Sequence, residues 1–307
     1  MKTSTSKRLR WNVAIWLAAG LFMTSTAGMA SGPILPDPKA EARHHPQIEE
    51  TANGIPLVNI TAPSSGGVSR NEYEMFNVPD KGAILNNSYT LSKTELAGYV
   101  PGNNNMAERP AKIIVNEVTG TGSTSMDGFL EVAGNRADVV IANPNGITVN
   151  GGGFINTGKA FLTTGKPVYD GEDHLQRFDI TGGDILIEGK GLGGKETESL
   201  AILSRAVKIN AGIWAEDLHI TTGANTVDAK TLEASAIEGK GGRPAFALDT
   251  AAIGGMYAGR ITLVGTEKGL GVNNSGTWSA EDNLTLDWNG DLKNSGTIYS
   301  KGNTDLR

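Results

Sequence analysis

The 307-residue chain carries 27 Lys and Arg against 33 Asp and Glu, has 41 glycines, and contains no cysteine. An acidic chain with no Lys/Arg cluster beyond residues 1–30 argues against nucleic acid as a partner, because phosphate binding needs grouped cations. The missing cysteine excludes a disulfide framework and thiol catalysis, so stability must rest on burial and backbone pairing.

Residues 1–30 read as a secretory signal peptide. Lys2, Lys7, Arg8 and Arg10 precede a mostly apolar Trp11–Met23, and Gly28-Met29-Ala30 offers a small-x-small cleavage site. The apolar part is short for a bilayer span, and no run of about 18 apolar residues follows, so stable membrane insertion is not expected. Removing this segment takes away four cationic and no acidic residues, which moves the net charge from −6 to −10. Residues 31–52, rich in Pro and charge without periodicity, read as an extended, exposed lead-in.

From Ile55 onward short apolar alternations are broken by Gly, Asn and Asp: Lys112–Val118, Asp184–Glu188, Ala206–Asn210, Leu218–Thr221 and Arg260–Val264. Runs of four to seven residues bounded by turn formers predict strands, with helical character confined to Ser92–Gly98. The organising stretch is Gly128–Thr157. Here an apolar Val139–Ala142 runs into Asn143-Pro144-Asn145-Gly146-Ile147. Pro144 fixes its own φ and pushes Asn143 into an extended conformation; Asn, Pro and Gly at the first, second and fourth positions predict a type I turn.

Repetition sets the architecture. Asn274-Ser275-Gly276-Thr277 recurs as Asn294-Ser295-Gly296-Thr297, and Gly212–Ile220 is echoed by Gly276–Leu286 with two inserted residues, placing Trp214 and Trp278 at equivalent positions, which suits coil-to-coil packing better than sugar stacking. A period of about 20 residues filled with strands and turns predicts a solenoid whose coils pair in parallel. Helical crossovers, which another parallel sheet would need, are missing from the pattern. Ser300–Arg307 reads as a coil cut short, as at the front of a longer exoprotein or in a truncated copy of one.

Six stretches resemble the N-terminal domain of two-partner secretion exoproteins, the filamentous haemagglutinins, related haemolysins and contact-dependent growth inhibition proteins. They are Val68–Asn77, Gly82–Ser88, Ala111–Thr119, Gly128–Thr157, Ser204–Ala215 and Ala251–Thr266. Two departures stand out: Asn103-Asn104-Asn105-Met106 replaces the family's N-P-N-L, and Val149–Gly153 replaces a frequent cysteine pair. The resemblance implies an all-β, right-handed parallel β-helix with extra N-terminal capping strands. The secretion domain would span 53–265 and haemagglutinin-like repeats would begin at 266–307. It also implies recognition by the periplasmic domains of a cognate outer-membrane β-barrel transporter, export through the periplasm, folding outside the cell, and a secreted or cell-surface product. The secretion-motif role is carried onto Asn143, Pro144, Asn145, Gly146 and Ile147, with Asn86 and Asn87 added. The N-P-N-G turn equally has a purely structural reading, as a corner of the coil. Downstream regions would bind host or neighbouring-cell surfaces or carry a toxin; a haemolysin-type cytolysin and a β-helix polysaccharide enzyme are the alternatives.

No other stretch points to catalysis, a cofactor or a metal. Gly189–Gly194 matches G-x-G-x-x-G but lacks a following helix, and a single Gly182-Gly183-Asp184 is a turn rather than a calcium repeat. The adjacent acids Glu216-Asp217 and Glu281-Asp282 would point to opposite faces of a strand. His44, His45, His174 and His219 lack ligand spacing.

Overall fold

The computed structural model describes residues 34–106 and 109–307; the signal-peptide reading lies outside the described residues. The described residues of the unit Ser31–Arg307 form a right-handed parallel β-helix with three rows of strands. One row stacks Ile113–Val118, Ala137–Ala142, Thr157–Thr163, Ser199–Ser204 and the later parts of Gly212–Thr222 and Gly255–Gly265, in that order. A second stacks Thr124–Met126, Ile147–Val149, Asp184–Ile187, Ala206–Ile209, Phe246–Thr250 and Gly271–Asn274. The third runs from Ala83–Asn87 through Phe129–Gly134, Gly152–Ile155 and Leu192–Gly194 to Thr277–Ala280 and Thr297–Ser300. The predicted repeat is the pitch of this helix: Asn274 pairs with Asn294 and Thr277 with Thr297, one coil apart. Stacking continues across residue 266 without a change of architecture.

All five strand expectations fall on strands, with ends moved by a residue or absorbed into longer elements. Alternate residues point inward, and their side chains, with Ile34 ahead of the first strand, form one continuous core reaching Leu286. Val139–Ala142 reads as an unbroken apolar run because both its faces are covered. Val139 and Ile141 enter the helix interior. Val140 and Ala142 face a second core formed with Phe178, Ile180 and Val227.

That second core was not predicted. Lys166–Tyr169, Leu175–Ile180, Asn225–Asp228 and Ala234–Ala236 form an antiparallel sheet laid on the outside of the first row. Both chain excursions that supply it leave the helix after a first-row strand, so the stacked rows continue beneath. Arg205, buried, binds Glu267 through two 3.0 Å contacts and donates to the carbonyl of Lys240, holding the second excursion down.

Three expectations are corrected. Residues 34–52 are mostly exposed, as read, but are pinned by strand pairing rather than forming an aperiodic lead-in. Leu35–Pro36 pairs antiparallel with Val68–Met75, Gln47–Glu50 pairs with Pro56–Asn59, and His44 is buried against Glu72 at 3.0 Å. Ser92–Gly98 is a β-hairpin, not helical: Ser92–Thr94 pairs with Gly98–Val100, and the N–H groups of Glu95 and Leu96 bond the Glu131 carboxylate instead of a helical turn. Trp214 and Trp278 are not equivalent. Ile213, Met256 and Trp278 share a register, so Trp278 points into the core while Trp214 points out.

Candidate functional site

The Asn143–Ile147 segment joins Ala137–Ala142 to Ile147–Val149 at one corner of the helix. The predicted turn is present: Gly146 N–H donates to the Asn143 carbonyl at 3.1 Å, and Asn145 N–H donates to Asn143 Oδ1 at 2.9 Å. The Asn143 side chain faces inward and is fully buried. Its Nδ2 donates to the carbonyl of Gly122 and to Thr124 Oγ1, both at 3.0 Å, in the preceding coil. Asn145 is exposed yet reaches the same strip, donating to the Gly120 carbonyl at 2.8 Å. Ile147 is buried between Thr124 and Ile185.

The following coil closes over the other side. Gly146 takes φ 113° with the Asp184 carbonyl only 3.1 Å from where a Cβ would sit, and a Cβ on Gly183 would lie 2.8 Å from the Pro144 carbonyl. Glycine is required at both positions, by backbone angle and by close approach. The corner is thus clamped between two neighbouring coils, with Pro144 and Asn145 as its exposed tip.

Asn86 and Asn87 do not join this corner. Both are fully buried and serve a second one. Asn86 donates to Asn59 Oδ1 and the Pro101 carbonyl, while Asn87 bonds both the N–H and the carbonyl of Ala111. Between these contacts lies Asn103-Asn104-Asn105-Met106. It repeats the first corner's pattern: Met106 N–H to the Asn103 carbonyl at 3.2 Å, Asn105 N–H to Asn103 Oδ1 at 3.0 Å, and Asn103 Nδ2 to the carbonyls of Ile60 and Asn86. The turn survives loss of proline because the first asparagine makes the bonds. Gly120, Gly122, Thr124 and Asn103 were missed as site residues; only the second N-x-N spacing signalled Asn103.

The other candidate chemistry disperses. Asp217 pairs with Arg260 at 2.6 Å and Glu281 with Lys301, both on exposed surface. Gly189 to Gly194 is a turn running into the strand Leu192–Gly194. His219, its pKa pushed down by burial, bonds Thr221. Among the described residues no group of three or more His, Asp or Glu is placed to hold a metal ion.

A parallel β-helix with asparagine-pinned corners and a capped N-terminal end is the architecture of an exoprotein secretion domain. The solved crystal structure of the filamentous hemagglutinin secretion domain superposes with a TM-score of 0.75 at 30% identity, covering 90% of this chain and 97% of that one. The chain belongs to the TPS secretion domain family, whose model matches residues 33–298. It is 43% identical over 298 residues to the toxin CdiA of Yersinia pestis and 43% identical over 280 residues to the 16S rRNA endonuclease CdiA of Enterobacter cloacae. Each match covers 90% of this chain but only 9% and 8% of those relatives. The resemblance read from the sequence motifs is upheld.

Proposed function

We propose that this domain is the export address of a large exoprotein, read by the periplasmic domains of a cognate outer-membrane β-barrel transporter, and that it starts β-helix folding once outside the cell. The observation that carries this reading is the match of the secretion-domain family over 33–298. The solenoid suits the route: without disulfides, coils can form one upon another from the capped end. The full-length product is a toxin carrier of the contact-dependent growth inhibition type, because its relatives in Yersinia and Enterobacter are CdiA proteins more than ten times longer than the shared segment.

The Asn143–Ile147 turn acts on export through the corner it builds. Asn143, Asn86 and Asn87 are fully buried in the folded helix, so a transporter can touch them only before folding; Pro144 and Asn145 stay accessible afterwards. The test is binding of the purified chain, folded and urea-unfolded, to the transporter's periplasmic domains. The expected result is saturable binding that Asn145→Ile weakens only in proportion to its loss of stability. Full stability with abolished binding would make the turn a contact site; absence of binding by either form would refute recognition.

A further inference from the structure

The outward face of the third row carries an aromatic strip away from the Asn143–Ile147 corner. Gly193, Trp214, Tyr257, Ser279 and Tyr299 stand in register on successive coils. Trp214, Tyr257 and Tyr299 are 36%, 38% and 50% exposed, while their strand neighbours Ile213, Ala215, Met256 and Ala258 are buried. The Trp214 and Tyr257 rings are 16° from parallel with centroids 6.2 Å apart. Both lie over bare backbone: a Cβ on Gly212 would come within 2.5 Å of the Trp214 ring, and one on Gly255 within 2.8 Å of the Tyr257 ring. The glycines let the rings settle onto the sheet, which fixes their position and leaves their outer parts to solvent.

Polar groups flank the strip. A depression of about 440 Å³ beside Tyr257 is lined by Lys195, Glu216, Ser279 and Glu281, with Glu281 paired to Lys301. This rim selects the occupant. The strands bearing Trp214, Tyr257 and Ser279 are paired on both sides, so no edge is free to accept a peptide strand. An apolar partner would bury Lys195 and Glu216 without compensation. A polyanion would meet Glu216 and Glu281 on an already acidic chain. A neutral polyhydroxylated chain meets none of these costs. Its C–H faces pack on the rings, and its hydroxyls accept from Lys195 and donate to Glu216 and Glu281.

We propose that this strip binds a neutral linear oligosaccharide running along the helix axis, with successive sugar rings set against coils about 4.8 Å apart. Calorimetric titration of the full chain with cellohexaose, chitohexaose and maltohexaose tests it, with hexagalacturonate and polylysine as charged probes. At least one neutral hexasaccharide binds saturably, and the double variant Trp214→Ala/Tyr257→Ala weakens that binding about tenfold or more. Tyr99→Ala, an exposed ring on the hairpin, leaves it unchanged. Should the double variant unfold, Glu216→Gln and Lys195→Met, both exposed, must each weaken binding by about threefold or more. The proposal is overturned if no neutral hexasaccharide binds, if either charged probe binds more tightly than all of them, or if the ring and rim variants bind as the parent does.

Discussion

Removing the carboxamide of Asn143 takes the donor from Thr124 Oγ1, buried with it, and deprives the more exposed Gly122 carbonyl and Asn145 N–H of their side-chain partner. Asn143→Ala should therefore cost about 1–3 kcal/mol in urea unfolding, the usual penalty for orphaned buried groups. Asn145→Ala, at the exposed tip, should cost about 1 kcal/mol or less. Equal losses would contradict the division of labour within the motif. Protonation acts at the same scale. His219 is held below the ordinary histidine value of 6.5 by burial, against the opposing pull of Asp217. The folded state thus favours the neutral ring, and the unfolded chain binds more protons as pH falls through 6.5. Its contribution is present above that value and is lost on acidification. Over roughly pH 5.5–7, the slope of unfolding free energy against pH should be less positive in His219→Gln than in the parent; identical slopes would show that the ring does not titrate differently on folding.

At the scale of single elements, a one-residue register difference decides what a tryptophan does. Trp278 lies inward and bonds Thr250 Oγ1 at 3.0 Å, whereas Trp214 lies outward over Gly212. Trp278→Ala should cost about 3–5 kcal/mol as a large buried side chain, and Trp214→Ala about 1 kcal/mol. Chemical denaturation of the two variants checks this, and comparable losses would contradict the register. The echo of Gly212–Ile220 in Gly276–Leu286 was legible, but aligning the tryptophans hid the slip, because period-2 strands exchange faces with every residue. Ser92–Gly98 misled for a different reason. Its composition suits a helix, yet the Glu131 carboxylate that claims its N–H groups lies 35 residues away. The outer antiparallel sheet was equally hidden: Leu175–Ile180 pairs with Asn225–Asp228 across 45 residues, and nothing local marks that partnership. What was legible, from the corner turn to the coil repeat, depends on contacts within one coil or between neighbours at a fixed spacing.

Across the whole described unit, stacking one coil on the next makes stability inseparable from order along the chain. Each row strand is paired by its neighbours, and the capping strands Gln47–Glu50 and Pro56–Asn59 cover the first coils. Circular dichroism of the chain should be β-dominated, with helix well below the roughly one third typical of soluble domains. The excursions add attachment at their necks: Glu267, its carboxyl held below the usual range by Arg205, bonds both that guanidinium and the Ala224 N–H. Glu267→Ala leaves Arg205 buried and uncompensated, so hydrogen exchange should rise across residues 223–245 before it rises in the rows beneath. Simultaneous loosening of both would mean that the excursion is integral to the helix rather than laid on it.

The central claim is that this β-helix is an export address. The measurement closest to it is the amount of chain released to the medium by cells making the cognate outer-membrane transporter, compared with cells lacking it. Release should depend on the transporter, and it should fall in the order parent, Pro144→Ala, Asn143→Ala, following the stability of the corner. Release that is equal with and without the transporter, or undiminished in Asn143→Ala, would contradict the account.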